Sequence, residues 1–148
     1  MPTMAIMIGI QASGKSTFCK RYLGNYIRVS LDALHTRNKE KIAIEDAIAV
    51  GADIVIDNTN PMIIDREKYI SRGKPAGYRI VGYFMQSKLQ DCIERNETRT
   101  GKEKIPRKAI ACTSNKLELP SYKESFDELY FVSISGGEIK ISEWRDEQ

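Results

Sequence analysis

The chain has 148 residues, of which 41% are hydrophobic and 29% charged, and its net charge at pH 7 is +3. These values are typical of one globular domain with a real core, so they exclude a chain too short or too polar to fold alone. The small positive charge is compatible with a nucleic-acid partner but does not establish one.

The first elements along the chain are an apolar strand at residues 4–8 and a helix from about residue 16 to residue 23. Between them, residues 9–16 read Gly-Ile-Gln-Ala-Ser-Gly-Lys-Ser and match the phosphate-binding pattern G-x-x-x-x-G-K-[ST] in full. The strand before the motif and the helix after it are the context that this motif requires. We therefore predict a nucleoside triphosphate site at this loop.

Each part of the loop has a separate task in such a site. Backbone N–H groups surround the phosphates, and the helix start adds its positive dipole end. Lys15 reaches the β- and γ-phosphates, and the Ser16 hydroxyl can ligate Mg²⁺. The predicted nucleotide contacts are Gly9, Gln11, Ala12, Ser13, Gly14, Lys15, Ser16 and Thr17.

Strand and helix signals continue to alternate after the first helix. The strand signals lie at residues 26–30, 53–57 and 78–85, and Gly136-Gly137 joins a hairpin of residues 128–135 and 138–144. The helix signals cover residues 36–50, a helix opened by Asn60-Pro61, one opened by a capping box at residues 87–90, and one ending near residue 119. The pattern predicts a single α/β domain with a mainly parallel five-stranded sheet, extended by a C-terminal antiparallel hairpin.

The cysteines and the N-terminus bear on the compartment. Cys19, Cys92 and Cys112 are widely spaced, odd in number and free of any C-x-x-C pattern. They predict reduced thiols rather than a disulfide framework or a zinc site. The apolar start is too short for a signal peptide or a membrane span. We expect a cytoplasmic protein with no membrane partner, while the oligomeric state is open.

Two aspartates follow predicted strands at the edge of the sheet where ligands bind in open α/β folds. Asp32 is either a general base for an acceptor hydroxyl or the cap of the next helix. Asp57 ends an apolar run and is predicted to hold the hydration shell of Mg²⁺, the alternative being a turn-forming role. His35, the single histidine, is either an acceptor contact or an ordinary surface residue.

Two arginines and a basic stretch follow on one helix and beyond it. Arg95 and Arg99 are four residues apart and share a helix face, so an anion such as a phosphate would relieve their repulsion. Asp91 precedes Arg95 by four residues and gives it an alternative role in a surface ion pair. Residues 100–108 are basic and include Gly101, which is compatible with a mobile lid or with a solvated loop.

A longer segment resembles a known family. Residues 57–61 read Asp-Asn-Thr-Asn-Pro and are followed by Arg66, which resembles the D-N-T-N-P-x-x-x-x-R segment of polynucleotide 5′-kinases. Leu117-Glu118-Leu119-Pro120 and the residues from Phe126 onward are also similar to that family. With the phosphate loop, the chain resembles its kinase domain over nearly the whole length. The resemblance implies a three-layer P-loop kinase fold for residues 1–148 and a lid at about residues 94–108.

The resemblance also implies an activity, namely transfer of the γ-phosphoryl group of ATP, with Mg²⁺, to the 5′-hydroxyl of a polynucleotide. The alternatives are a kinase for a small-molecule hydroxyl and a non-catalytic nucleotide-binding module. Where some relatives have an arginine three residues after the base, this chain has His35, and it lacks the D-x-D-x-T phosphatase signature. The implied residues are catalytic Lys15, Asp32 and Arg99, nucleotide-binding Arg95, acceptor-binding His35, Asn60 and Arg66, and metal-binding Ser16 and Asp57.

Overall fold

The computed structural model describes residues 1–101 and 104–146, and strands alternate with helices along them. The strands are β1 (Thr3–Ile8), β2 (Ile27–Val29), β3 (Ile54–Ile56), β4 (Arg79–Met85), β5 (Glu128–Ser135) and β6 (Glu138–Glu143). The helices are α1 (Lys15–Tyr22), α2 (Leu31–Leu34), α3 (Arg37–Ala49), α4 (Ile63–Gly73), α5 (Leu89–Glu97) and α6 (Arg107–Lys116), with a 3₁₀ turn at Tyr122–Glu124.

The described strands form one sheet in the order β2-β3-β1-β4-β5-β6. The first five strands in that order run parallel, and β6 pairs antiparallel with β5 through the turn at Gly136-Gly137. Both glycines have positive φ, as a two-residue hairpin turn of this kind requires. The predicted α/β class, with a mainly parallel sheet and a C-terminal hairpin, is confirmed.

Side chains of the central strand β1 alternate between two cores, because successive residues of a strand point to opposite faces. Met4, Ile6 and Ile8 lie in the larger core with residues of α3 and α4. Ala5 and Met7 lie in the second core with residues of α1. Burial on both faces explains why β1 is a continuous apolar run. No helix in the described ranges is long and apolar enough to cross a membrane.

The start of α4 differs from the sequence prediction. The helix begins at Ile63 rather than at Pro61, with Met62 in the cap position. Asn60 is not the cap, because its φ of +44° lies in the left-handed region. Its side-chain amide instead donates to the carbonyl oxygen of Met7 at 2.7 Å. A long-range bond to the central strand therefore replaces the predicted local cap.

The start of α5 is corrected in the same way. The helix begins at Leu89, with Lys88 in the cap position and no side-chain cap bond, so the predicted capping box from Ser87 is wrong. The Ser87 hydroxyl donates to the Met85 carbonyl oxygen at 2.8 Å and accepts from the backbone N–H of Ile10 at 3.1 Å. Ser87 thereby joins the end of β4 to the loop after β1.

Candidate active site

The loop between β1 and α1 folds tightly at the carboxyl edge of the sheet. Gly14 caps α1 with a φ of +101°, and a Cβ atom there would collide with the Ile134 side chain. A Cβ atom on Gly9 would lie 2.7 Å from Ser13 Oγ and 3.0 Å from Met85 Cβ. Only glycine fits both positions without displacing a neighbour. The first turn of α1 has no acidic residue and no side-chain cap, which suits an anion at its N-terminus.

The loop has two buried polar atoms without a hydrogen-bond partner among the described residues, and one residue with an unfavourable backbone conformation. Ser13 Oγ and Gln11 Oε1 are buried without a hydrogen-bond partner among the described residues. The amide nitrogen of Gln11 donates to Thr113 Oγ1 on α6 at 3.0 Å. Ala12 has a φ of +63°, an unfavourable conformation for a residue other than glycine. A phosphate oxygen accepting from the Ser13 hydroxyl would satisfy one of these groups, so the loop fits a polyphosphate ligand.

Lys15 lies within electrostatic reach of three other predicted site residues. Its ammonium group donates to the carbonyl oxygen of Ile10 at 2.9 Å, within its own loop. Burial lowers the pKa of Lys15 from 10.5 to about 8, against the opposing effect of the Asp57 carboxylate. Arg99 lowers this pKa further and Asp32 raises it. Three of the predicted site residues are therefore close enough to Lys15 to act on it electrostatically.

The predicted metal ligands lie together. Ser16 and Thr17 are exposed in the first turn of α1, whereas the Asp57 side chain is only 2% exposed. The Ser16 hydroxyl donates to Asp57 Oδ2 at 3.2 Å. A hydroxyl and a carboxylate are hard oxygen donors of the kind that Mg²⁺ prefers, so these residues fit that ion. Arg28, which sequence reasoning missed, also contacts both side chains, with its Nε 2.7 Å from Asp57 Oδ2.

Asp32 lies in the first turn of α2 and is exposed. Ser30 is in the cap position of α2 and Thr36 caps α3, the helix predicted from the sequence, so the alternative role of Asp32 as a helix cap is wrong. His35 ends the same short helix with a φ of +69° and is also exposed. Both residues therefore face solvent at the end of β2, on the side where the sequence predicted the acceptor.

A buried polar network that sequence reasoning missed supports α2. Asn58 Oδ1 accepts from the backbone N–H of Leu31, the first residue of α2, at 2.9 Å. The amide nitrogen of Asn58 donates to Glu40 Oε2 at 3.1 Å and to the Tyr69 hydroxyl at 3.2 Å. Burial and the adjacent Glu40 carboxylate raise the pKa of Tyr69 to about 12, so its hydroxyl stays a donor. The sequence does hold one sign of this network. Glu40 and the apolar Ile44 are four residues apart and share the buried face of α3, so their spacing indicates that Glu40 is buried.

Arg95 on α5 and Arg99 just after this helix have different surroundings. Arg95 donates to the carbonyl oxygens of Ala12 at 3.2 Å and Ile134 at 3.3 Å, so its guanidinium supports the backbone of the phosphate loop. The structure thus gives Arg95 a role other than the surface ion pair considered from the sequence. Arg99 is half-buried, and its charge reaches Lys15.

The predicted lid at residues 94–108 comprises the end of α5, a connection and the start of α6. Residues 102–103 of this segment lie outside the described residues. Asn96 is fully buried and forms two hydrogen bonds with the backbone of Ile105, of 2.5 Å and 2.8 Å. These bonds tie the two ends of the connection together, while the mobility of the lid stays a prediction.

Burial corrects the prediction that Asn60 and Arg66 hold the acceptor. The Arg66 guanidinium is fully buried and donates to both carboxylate oxygens of Glu124, at 2.8 Å and 3.1 Å. It also donates to the carbonyl oxygens of Asn60 and Glu118, each at 3.1 Å. Asn60 is itself buried against β1. Both residues join the loop after β3 to the rest of the protein.

Comparison with known proteins identifies relatives of this chain. No model of a protein family matches the chain. In an alignment 139 positions long that covers 88% of the chain, the sequence is 31% identical to a protein of Acanthamoeba polyphaga mimivirus assigned as a bifunctional polynucleotide phosphatase/kinase. The chain is a polynucleotide kinase-like P-loop domain. It spans about a third of the length of that relative.

Solved structures confirm the fold of the domain. Kti12 of Chaetomium thermophilum, in complex with ADP-AlF₃, superposes with a TM-score of 0.65 at 19% identity over 88% of both chains. A gluconokinase of Sinorhizobium meliloti 1021 superposes with a TM-score of 0.62 at 18% identity, over 90% of this chain and 83% of the gluconokinase. At these identities the likeness establishes the P-loop kinase fold, and it does not extend to substrates.

The first prediction concerns the buried ion pair of Arg66. Changing Arg66 to alanine leaves the Glu124 carboxylate buried without its partner, so the free energy of unfolding should fall by about 3–5 kcal/mol. Urea denaturation followed by circular dichroism measures this change. Arg72→Ala removes an exposed arginine of the same helix and should change the free energy by less than about 0.5 kcal/mol. Equal stability of the two variants would contradict the structural role of Arg66.

The second prediction concerns the pH dependence of nucleotide binding. The pKa of Lys15 is about 8 in the free protein, and a bound triphosphate should raise it because the anion favours the charged ammonium. Binding should therefore take up a proton at about pH 8.5 but little at about pH 7, and affinity should fall as pH rises between these values. Calorimetry in buffers of different ionisation enthalpy measures the uptake. Lys15→Arg, which stays charged, should show none; an unchanged uptake would assign the proton to another group.

Proposed function

We propose that this domain is a Mg²⁺-dependent kinase that transfers the γ-phosphoryl group of ATP to the 5′-hydroxyl of a polynucleotide. The observation that carries the proposal is the phosphate loop at the start of α1, where the Ser16 hydroxyl contacts Asp57 at 3.2 Å and Lys15 is within electrostatic reach of Asp32 and Arg99. The similarity to a protein assigned as a polynucleotide phosphatase/kinase supports a polynucleotide as the acceptor.

The donor side needs little covalent chemistry, because phosphoryl transfer depends on positioning and charge neutralisation. Backbone N–H groups of the loop hold the phosphates, and Lys15 leaves the Ile10 carbonyl to neutralise their oxygens. Ser16 and Asp57 would hold Mg²⁺, which would supply neutralisation of the phosphate charge when it is bound. Arg99 stabilises the charge that develops on the transferred group.

The acceptor side is built on α2. The Asp32 carboxylate orients the 5′-hydroxyl and takes its proton as the acceptor oxygen attacks the γ-phosphorus in line with the leaving oxygen. The bond from phosphorus to the acceptor oxygen forms, the bond to the β-phosphate oxygen breaks, and ADP leaves. Asn58 holds the first turn of α2 through Leu31 and so positions Asp32. His35 lies at the end of the same helix and contacts the acceptor strand.

A small-molecule hydroxyl is the second candidate acceptor, and the burial of Arg66 favours it. Without Arg66, the predicted acceptor side lacks one cation that would bind a nucleic-acid phosphate. A polynucleotide acceptor should bind more weakly as salt rises, because its binding releases counterions. A small neutral acceptor should show no such dependence, so the salt dependence of the acceptor KM distinguishes the two.

The third prediction tests the acceptor and the base together. Labelled γ-phosphate should pass from ATP to 5′-hydroxyl DNA or RNA oligonucleotides, and Asp32→Ala should slow transfer by about 100-fold or more. ATP affinity should change little, because Asp32 does not belong to the phosphate loop. Asp46→Ala removes an exposed aspartate of α3 and is the matched control. Wild-type transfer by Asp32→Ala would exclude it as the base, and no labelling of any oligonucleotide by a nucleotide-binding wild type would exclude the polynucleotide acceptor.

The fourth prediction tests the positioning role of Asn58. Asn58→Ala frees the backbone N–H of Leu31 and should lower kcat by about tenfold, equivalent to about 1.4 kcal/mol, while the KM for ATP stays near its wild-type value. Steady-state kinetics measures both quantities. Asn38→Ala, an exposed asparagine of α3, serves as the control. A higher KM for ATP at unchanged kcat would show that Asn58 serves the nucleotide rather than Asp32.

A further inference from the structure

The guanidinium of Arg28 contacts the two oxygen atoms that the proposed function assigns as ligands of the metal. Its Nε donates to Asp57 Oδ2 at 2.7 Å, and its Nη2 donates to Ser16 Oγ at 3.4 Å. Ser16 Oγ and Asp57 Oδ2 are themselves 3.2 Å apart. One cationic group of this protein therefore contacts both candidate ligands of Mg²⁺ at once.

The two members of this ion pair differ sharply in their access to water. The Asp57 side chain is 2% exposed, whereas the Arg28 side chain is 43% exposed. A buried carboxylate is costly without a counter-charge, so Asp57 needs a cation at all times. Arg28 projects from β2, the edge strand of the sheet, and its guanidinium can move into water at small cost.

Lys15, a second cation near this carboxylate, has its described hydrogen bond elsewhere. Lys15 acts on the Asp57 carboxylate through space, but its ammonium donates to the Ile10 carbonyl oxygen. Ser16 and Arg28 both contact the Asp57 carboxylate within the described part of the chain, and of these two side chains Arg28 carries the positive charge. Any divalent ion that takes the same oxygens must therefore exchange with Arg28 or share them with it.

We propose that Arg28 is an internal counter-ion that occupies the metal position of Ser16 and Asp57 and is released when Mg²⁺ and nucleotide bind together. This inference rests on the proposed function, which assigns Mg²⁺ to these two residues. Because like charges repel, Arg28 opposes binding of Mg²⁺ alone. The negative charge of a bound triphosphate offsets that opposition. Arg28 thus makes the domain respond to the metal–nucleotide complex and not to free Mg²⁺.

The experiment compares wild-type protein with Arg28→Ala and Arg28→Gln, using MgCl₂ alone as the probe. In calorimetric titrations without nucleotide, both variants should bind Mg²⁺ at least about tenfold more tightly than the wild type. In thermal unfolding without metal, Arg28→Ala should have a lower Tm, and MgCl₂ should raise its Tm more than that of the wild type. Arg28→Gln keeps hydrogen-bond donors without the charge, so it separates the effect of charge from that of packing.

Two controls locate the effect. Arg79→Ala removes another half-exposed arginine, paired with Glu128 on the neighbouring strand, and should leave the response to MgCl₂ unchanged. Adding Asp57→Asn to Arg28→Ala should abolish the gain in Mg²⁺ affinity, because the carboxylate that binds the ion is gone. Persistence of the gain in that double variant would place the metal elsewhere and overturn the inference.

The outcomes separate this inference from the proposed function. If both Arg28 variants bind Mg²⁺ with the same affinity as the wild type, and ATP binding still depends on Mg²⁺, the counter-ion role is overturned. The kinase proposal would then still stand. ATP binding by the wild type that is independent of Mg²⁺ would reject the metal site, and with it both proposals. Tighter Mg²⁺ binding in both variants, absent in Arg79→Ala, would support the counter-ion role.

Discussion

The buried carboxylate of Asp57 requires positive charge and hydrogen-bond donors at the carboxyl edge of the sheet, and the elements of that edge meet around it. Arg28 reaches it from β2, Ser16 from α1, and Lys15 acts on it from the same helix start. Burial, with the Asp57 charge in addition, raises the pKa of Cys19 to about 12 and keeps this thiol neutral. The central position of β1, between β3 and β4, brings the phosphate loop beside this carboxylate.

The phosphate loop is held in shape from several directions. The backbone N–H of Gly9 donates to the Thr59 carbonyl oxygen at 3.0 Å, and Ile10 donates to Ser87. Gln11 also donates to Thr113 of α6, and Arg95 donates to the backbone of the loop. Since phosphoryl transfer gains most from groups that are already in place, such a fixed loop is suited to that reaction. The Ser13 hydroxyl, which has no hydrogen-bond partner among the described residues, can donate to a bound ligand.

The segment that most resembles polynucleotide kinases serves mainly to join parts of the structure. Asp57 faces the candidate metal site, but Asn58 holds α2, Asn60 holds β1, and Arg66 holds the C-terminal segment through Glu124. A match to a functional motif therefore predicted the family correctly and two of its contacts wrongly. Burial distinguishes a residue that joins parts of the structure from one that contacts a substrate. A fully buried guanidinium with carboxylate and carbonyl partners is not available to a substrate.

Local features of the sequence determined the α/β class, the hairpin and the phosphate loop, because apolar periodicity and glycine spacing act over a few residues. Helix starts at Pro61 and Ser87 were predicted wrongly, because bonds to distant backbone atoms outweighed local capping. Only the tertiary structure decided the partners of the charged side chains. Arg28 and Asp57 are 29 residues apart and Arg66 and Glu124 are 58 apart, so no local pattern records their pairing. The fold alone brings such charges within contact distance, and their burial then decides which of them can meet a ligand.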